Sequence, residues 1–320
     1  MRNAKVVIEP WDGGEEYVVS GQGAGSRNVE LATGDDGTDF DGMYDPPFQS
    51  LYTSTAFQTG STFTGFREDS YDFELAFHIF GTPELEWRFT DSDFRLAWDI
   101  VEQSRIRVET DESVRRLAVR LGSKPKIRTT HDPNRRKRSL LLVPLIAAYP
   151  RWVEPDWGEN TPPNHPTKFV TTTDTTASGF EDGVVTVWNP TPLKQWVRWS
   201  VQGTAGIIWT IPDFSWGQEA MHDRPAGVDV ARKITLAPLI AGEHLKIDTN
   251  PESIDGMYNS DLDTEVYMRQ QVEFMYPIPP RTPPTQVPIR VSKAPIGAGI
   301  QVRGPMEWNR PWGLQAVTGS

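Results

Sequence analysis

The chain has 320 residues, of which 32 are basic and 43 acidic, for a formal charge of −11. The acidic total argues against a general DNA-binding protein. The lack of cysteine removes disulfides, zinc–thiolate sites, iron–sulfur clusters and cysteine nucleophiles. No apolar run approaches the roughly 18 residues of a membrane span. The opening Met1-Arg2-Asn3-Ala4-Lys5 leads into a short strand-like run and not into a signal h-region. Twelve Trp, 14 Phe, 26 Gly and 27 Pro together predict many short strands and turns in place of helices.

Charge is distributed unevenly. Residues 1–100 carry a net −13, residues 101–150 a net +7, and residues 151–320 a net −5. Such a bipolar half can set the basic segment of one copy against the acidic face of the next. Alternatively, the two patches face each other within one molecule, or face water.

The first strong strand is expected from Tyr71 to Phe80, where Tyr71, Phe73, Leu75, Phe77 and Ile79 alternate with Asp72, Glu74, Ala76 and His78. Leu85, Trp87 and Phe89 alternate in an expected partner strand. A helix is expected over about 93–103, with Thr90, Asp91 and Ser92 as cap residues and a stripe of Phe94, Ala97, Trp98 and Val101. Strands are predicted at 115–121, 126–130 and 139–149. His131-Asp132-Pro133-Asn134 is turn chemistry, followed by the basic run Arg135-Arg136-Lys137-Arg138. The span 114–149 thus forms antiparallel strands with a basic hairpin tip.

The organisation expected is a first domain at 1–155, a Pro-rich linker at 156–166 and a second domain at 167–320. Short strands are predicted at 184–188, 196–201, 207–211, 233–236, 245–248, 265–274, 287–291 and 300–303, which read as a sandwich or jelly roll. The six prolines of 277–288 predict an extended connection and not a central strand.

Catalytic signals are weak. The five histidines, His78, His131, His165, His222 and His244, have no metal-ligand spacing, and no Gly-x-Ser-x-Gly elbow accompanies His222-Asp223. Asp35, Asp36, Asp39 and Asp41 fail the EF-hand pattern, because Gly42 comes one position late and Pro47 stands where the Glu belongs. Asp261, Asp263 and Glu265 read as solvated loop-to-strand residues. Gly21-Gln22-Gly23-Ala24-Gly25 lacks a P-loop lysine. No catalytic residue, metal or cofactor is expected. The basic run at 135–138 suits a protein contact or a solvated hairpin, with a polyanion contact as the alternative. Five tryptophans fall between 188 and 216. Trp188, Trp209 and Trp216 are candidates for stacking on sugar rings, whereas the spacing of Trp196 and Trp199 puts one of that pair in a core.

Several second-half motifs carry a resemblance as a set: Val187-Trp188-Asn189-Pro190-Thr191, Arg198-Trp199-Ser200-Val201-Gln202-Gly203, the hairpin Gly242 to Thr249, Pro277 to Pro280, Ile300 to Arg303, and Trp308-Asn309-Arg310-Pro311-Trp312. Together they resemble the distal tail protein family of long-tailed phages, with a texture closest to minor tail proteins of phages infecting actinobacteria. The resemblance implies an all-β, mainly antiparallel fold. A ring-forming N-terminal domain with one helix and a hairpin arm would be followed by a galectin-like β-sandwich. It implies a structural virion protein, without enzymatic activity, in a six-membered ring that joins the tail tube protein to the tail-tip hub and anchors peripheral receptor-binding or minor tail proteins. DNA would only pass through the lumen. Arg135, Arg136, Lys137 and Arg138, with Phe94 and Trp98, are then the expected subunit-interface residues. A carbohydrate-binding or glycan-cleaving sandwich protein is the alternative.

Overall fold

A computed structural model describes residues 4–33, 41–83, 85–129, 131–155, 165–253, 255–260, 262 and 266–314. The expected linker at 156–166 lies mostly outside the described residues, as do Asp35, Asp36, Asp39, Asp261, Asp263 and Glu265. The fold is almost entirely antiparallel β, as expected. It divides into two compact units. The first takes the described residues up to Glu154 together with Trp308–Leu314; the second takes those from Pro155 to Glu307.

The first unit contains, in order, β1 (Lys5–Glu9), β2 (Tyr17–Ser20), β3 (Val29–Leu31), β4 (Phe48–Thr53), β5 (Thr62–Glu68), β6 (Tyr71–Phe80), α1 (Trp87–Leu96), β7 (Ser104–Glu109), β8 (Val114–Leu121), β9 (Lys126–Arg128), α2 (Pro133–Arg136), β10 (Arg138–Ala147) and β11 (Trp152–Glu154). One sheet runs β2-β1-β7-β8-β10-β6-β3. The alternation read at 71–80 is real: Tyr71, Phe73, Leu75, Phe77 and Ile79 are all buried, and the strand pairs with β10 over its whole length.

The helix differs from its expected position. It starts at Trp87 and ends at Leu96, so the strand expected around Leu85, Trp87 and Phe89 is absent. Its buried stripe is Trp87, Thr90, Asp91 and Phe94, an i, i+3, i+4, i+7 set whose two middle members are polar. A search for apolar spacing therefore misses the first turn. Arg95 neutralises the buried Asp91 at 2.9 Å, and the Trp87 indole donates to Ser139 Oγ at 2.9 Å. Asp99 ends the helical path by accepting from the backbone N–H of Val101 and Glu102, both at 2.7 Å. Val101, expected in the stripe, is consequently exposed.

The second unit contains β12 (Lys168–Val170), β13 (Phe180–Asn189), β14 (Arg198–Val201), β15 (Ile208–Pro212), β16 (Lys233–Thr235), β17 (Leu245–Asp248), β18 (Tyr258–Ser260), α3 (Val266–Gln270), β19 (Thr282–Ser292) and β20 (Gly299–Arg303); β21 (Met306–Trp308) follows. A five-stranded sheet β12-β20-β14-β17-β18 packs on a four-stranded sheet β13-β19-β15-β16. Trp199, Val201, Ile300 and Val302 from the first meet Val185, Trp209, Ile211 and Val291 from the second in one core.

Two expectations fail here. The 265–274 segment holds the short helix α3, not a strand. The proline-rich stretch enters an interior strand, β19, with Pro283, Pro284 and Pro288 inside it. The geometry explains the tolerance. β15 pairs with β19 only through Ser292, Val291 and Arg290, so the proline-bearing part has a neighbour, β13, on one side alone.

The quoted motifs have physical reasons. Asn189 is fully buried. Its amide donates to the carbonyls of Leu193 (2.7 Å) and Pro279 (2.9 Å), while its Oδ1 accepts from Thr191 N (3.0 Å), tying the Asn-Pro-Thr turn to the Pro277–Pro280 segment. Gly203 has no substitute, since a Cβ there would lie 1.7 Å from the Glu243 carbonyl oxygen. Glu243 is buried, accepting from Ile240 N at 2.9 Å and pairing with Arg269 at 2.6 Å.

Residues 308–314, expected in the second domain, pack with the first unit. Trp308 joins its core, and the Arg115 guanidinium lies 3.9 Å above the indole ring. The fully buried Arg115 side chain bonds Glu154 Oε1 at 2.9 Å and donates to the carbonyls of Arg310 and Gly313, both at 2.8 Å. Burial pulls the Arg115 pKa down, against the opposing pull of Glu154. Tyr71 OH donates to Asn309 O at 2.7 Å, and Trp312 stands edge-on to Tyr44 at 5.1 Å. Replacing Arg115 with Met removes the charge partner of Glu154 and the donors to the Arg310 and Gly313 carbonyls. The expected loss is about 3–5 kcal/mol of stability, read by denaturant unfolding, with protease cleavage appearing within 308–314.

Candidate assembly surfaces

Strands β4 and β5 form a two-stranded sheet that joins no other. Tyr52 pairs with Phe63 and Ser50 with Phe66, and a bulge between Leu51 and Tyr52 keeps the parity. Phe48, Tyr52, Phe63 and Phe66 therefore share one face. Their exposures are 68%, 58%, 55% and 62%, and Phe57 at the loop tip is fully exposed. An isolated hairpin of this kind is marginal in water, and so contiguous an apolar face marks an interaction surface. At its base, Glu68 pairs with Arg151 and Asp69 N donates to Pro47 O at 2.8 Å. The hairpin is not among the strands that residue alternation predicts. The aromatics at 48, 52, 63 and 66 were visible, but the bulge breaks the two-residue period.

A second apolar surface lies on the outer side of α1. Phe89 and Leu96, seven residues apart, share it, and Ile100 and Val101 extend it; all four are more than half exposed. Trp11 borders it, donating its indole N–H to Leu96 O at 3.0 Å.

Phe94 and Trp98, expected at a subunit interface, are not on any surface. Phe94 sits 4.9 Å from Tyr17 and 4.9 Å from Phe77, and 5.8 Å from Trp98, all within the first unit's core. They lie on the inward face because α1 buries that side against β6.

The basic segment also behaves differently from a single patch. Arg107 is held by Glu9 (2.5 Å), Glu16 (2.6 Å) and Glu109 (2.8 Å), and Arg116 meets Glu9 at 3.0 Å. Hydrogen bonding to Arg107 holds the Glu16 carboxyl below its usual range. Much of the bipolar charge is thus cancelled within the unit. What stays uncancelled is the tip: Lys126, Arg128, Arg135, Arg136, Lys137 and Arg138 are exposed and make no ion pair among the described residues. Asp132 caps α2 by accepting from Asn134 N at 3.0 Å, and Lys137 takes a left-handed φ of 51° that turns the chain into β10. Arg128, Arg136 and Arg138 converge with His78 and His131 on one open cleft that no carboxylate lines among the described residues.

The tryptophan candidates do not make one platform. Trp209 is wholly buried and donates to Gln202 O at 3.3 Å, because strand alternation points it into the sandwich. Trp188 is half-buried against His165, and Trp216 is half-buried beside Phe214.

The loop from 213 to 232 is held by three carboxylates. Asp213 accepts from Met275 N (3.0 Å) and Tyr276 N (3.2 Å). Glu219 accepts from Ser215 Oγ (2.7 Å) and Gly227 N (3.0 Å). Asp229 accepts from Tyr276 OH (2.6 Å) and pairs with Arg224. The Ser215 hydrogen bond lowers the Glu219 pKa; those from Tyr276 and then Arg224 lower that of Asp229. Carboxylates depressed in the folded state stabilise it fully above their ordinary values, and that contribution is lost as pH falls through the lower folded values. Hydrogen-exchange protection across 213–232, taken relative to the intrinsic rate at each pH, should therefore fall below about pH 4. Tyr276→Phe, which returns Asp229 toward its ordinary range, should lower protection of the loop already at neutral pH and shrink the further loss on acidification.

No family model matches the chain. It is 26% identical over 350 residues to the minor tail protein Gp27 of Mycobacterium phage D29, covering 94% of this chain and 99% of that protein. It is 25% identical over 349 residues to Gp27 of Mycobacterium phage L5, with the same coverage. Its fold matches the crystal structure of the SPP1 Dit protein, described as a paradigm of the hub adsorption apparatus in phages infecting Gram-positive hosts. The TM-score is 0.51 at 9% identity, over 96% of this chain and 99% of that one. Along almost its whole length, the chain is therefore similar in sequence to minor tail proteins of mycobacterial phages and shares the fold of a phage Dit protein, as its strand and turn motifs led one to expect.

Proposed function

We propose that the protein is a structural component of a phage tail tip that assembles with copies of itself into a ring. The exposed aromatic face of the β4–β5 hairpin carries this reading. A heterologous, ring-closing contact needs two different complementary surfaces on each subunit. The hairpin is one, and the apolar outer side of α1, with Ile100 and Val101, is the other. The unpaired cationic tip at 126–138 adds an electrostatic contact to an acidic neighbour.

Six copies between the tail tube protein and the tail-tip hub is the arrangement that the resemblance to distal tail proteins implies. The galectin-like sandwich would anchor peripheral receptor-binding or minor tail proteins. The virion tail tip is the location this implies, with assembly in the host cytoplasm, no catalytic role and no cofactor. A lumen lined by some of the acidic excess would let DNA pass without sticking.

Light scattering and negative-stain micrographs of the full chain test this. Rings or multimers are expected. Phe57→Ser with Phe63→Ser should weaken association on the order of 100-fold or more, from about 2–3 kcal/mol per buried Phe, with circular dichroism unchanged. Reversal of Arg135, Arg136, Lys137 and Arg138 to Glu should also lower the assembly yield. Full assembly in both variants would refute the proposed contacts. Because the chain has no cysteine, Phe57→Cys with Leu96→Cys should cross-link copies on oxidation, and neither single variant should.

A further inference from the structure

The outer face of the five-stranded sheet in the second unit carries a pattern that the assembly reading does not use. Strand register aligns Lys168 with Gln301, Gln301 with Ser200, Ser200 with Lys246, and Lys246 with Asn259. These five side chains form one row across all five strands. The alternate residues Ile300, Trp199, Ile247 and Tyr258 are buried, so the row faces outward.

Beside the row runs an open cleft, lined also by Gln202, His244 and Gly299. Gly299 keeps its floor low. Gln202 Oε1 accepts from Gly299 N at 3.0 Å and is thereby fixed in place. Among the described residues, no carboxylate lines the cleft. Asp248, one row away, already pairs with Arg198 at 3.1 Å. Lys168, Lys246 and His244 are exposed and make no ion pair among the described residues.

This cationic face is notable for its setting. Residues 155–307 hold 12 basic and 18 acidic groups. An all-cationic, hydrogen-bonding cleft on an acidic unit complements an anion. The two lysines stand three strand spacings apart, roughly 14 Å, with neutral donors and acceptors between them. A hydroxyl-rich chain with spaced carboxylates satisfies both kinds of group. A nucleic acid strand would call for closer-set cations and aromatic platforms, and the row has none. An acidic peptide would call for a cluster of arginines, and the row holds none.

We propose that this sheet face binds an acidic polysaccharide, with Lys168 and Lys246 on its carboxylates and Gln301, Ser200, Gln202 and Asn259 on its hydroxyls. This is distinct from the tryptophan platform considered from sequence, and it does not depend on the assembly reading.

Biolayer interferometry of the full chain provides the test, with immobilised hyaluronan, its neutral methyl ester, polyglutamate and single-stranded DNA as probes. The expected result is binding to hyaluronan that weakens with salt and is lost on esterification. Lys168→Glu with Lys246→Glu should reduce affinity about tenfold or more, as two charge contacts become repulsive, with an unchanged thermal melt. Lys233→Glu, on the other sheet, should leave binding intact. Equal binding to the ester, no binding to hyaluronan, or full binding by the double variant would overturn the proposal. Equal or tighter binding to polyglutamate or DNA would overturn it in favour of those partners.

Discussion

The buried guanidinium of Arg115 holds the first unit together from two distant parts of the chain. It is an expensive group to take out of water, and its five donors demand acceptors in fixed directions. Glu154 supplies charge, while Arg310 and Gly313 supply carbonyls that only the end of the chain can bring. Trp308 covers the flat face of the ion. The segment 308–314 is thus a working part of the first unit, and the second unit is inserted between β11 and that segment. Tyr71, Tyr44 and Asp45 extend the same fastening, since Arg310 pairs with Asp45 at 2.5 Å.

Charge plays two roles that one net figure conceals. Around Arg107 and Arg116 it is internal: three glutamates from β1, β7 and the segment before β2 cancel two arginines on one sheet face. At the 126–138 tip and along the Lys168–Lys246 row it is left open. An open charge on a folded surface contributes little to stability. It is available to steer partners.

The β4–β5 hairpin makes the complementary point for apolar groups. Core aromatics such as Phe77 and Phe94 are covered by neighbours from several strands and a helix. Phe48, Phe63 and Phe66 have only each other's hairpin. Such a structure is favoured when another surface covers it, which ties the order of this segment to assembly.

Local pattern alone determined much of this protein. The alternation at 71–80, most of the longer strands of the second unit and the absence of a thiol or metal-ligand spacing were legible, because strand periodicity and residue chemistry are local properties; the short strands β12 and β18 were not. The Asn189 turn and the Gly203 strand end were also visible as motifs, although their reasons were not. Tertiary structure decided the rest. Buried Thr90 and Asp91 hid the first turn of α1 from any reading of apolar spacing. The one-sided pairing of β19 admitted prolines that a central strand ordinarily rejects. Phe94 and Trp209 turned inward and the 48–68 aromatics outward, because burial depends on which neighbours arrive and not on residue type. Whether a given arginine is cancelled or exposed likewise rests on partners as far as 265 residues away in the chain, as between Arg310 and Asp45, and no local window contains them.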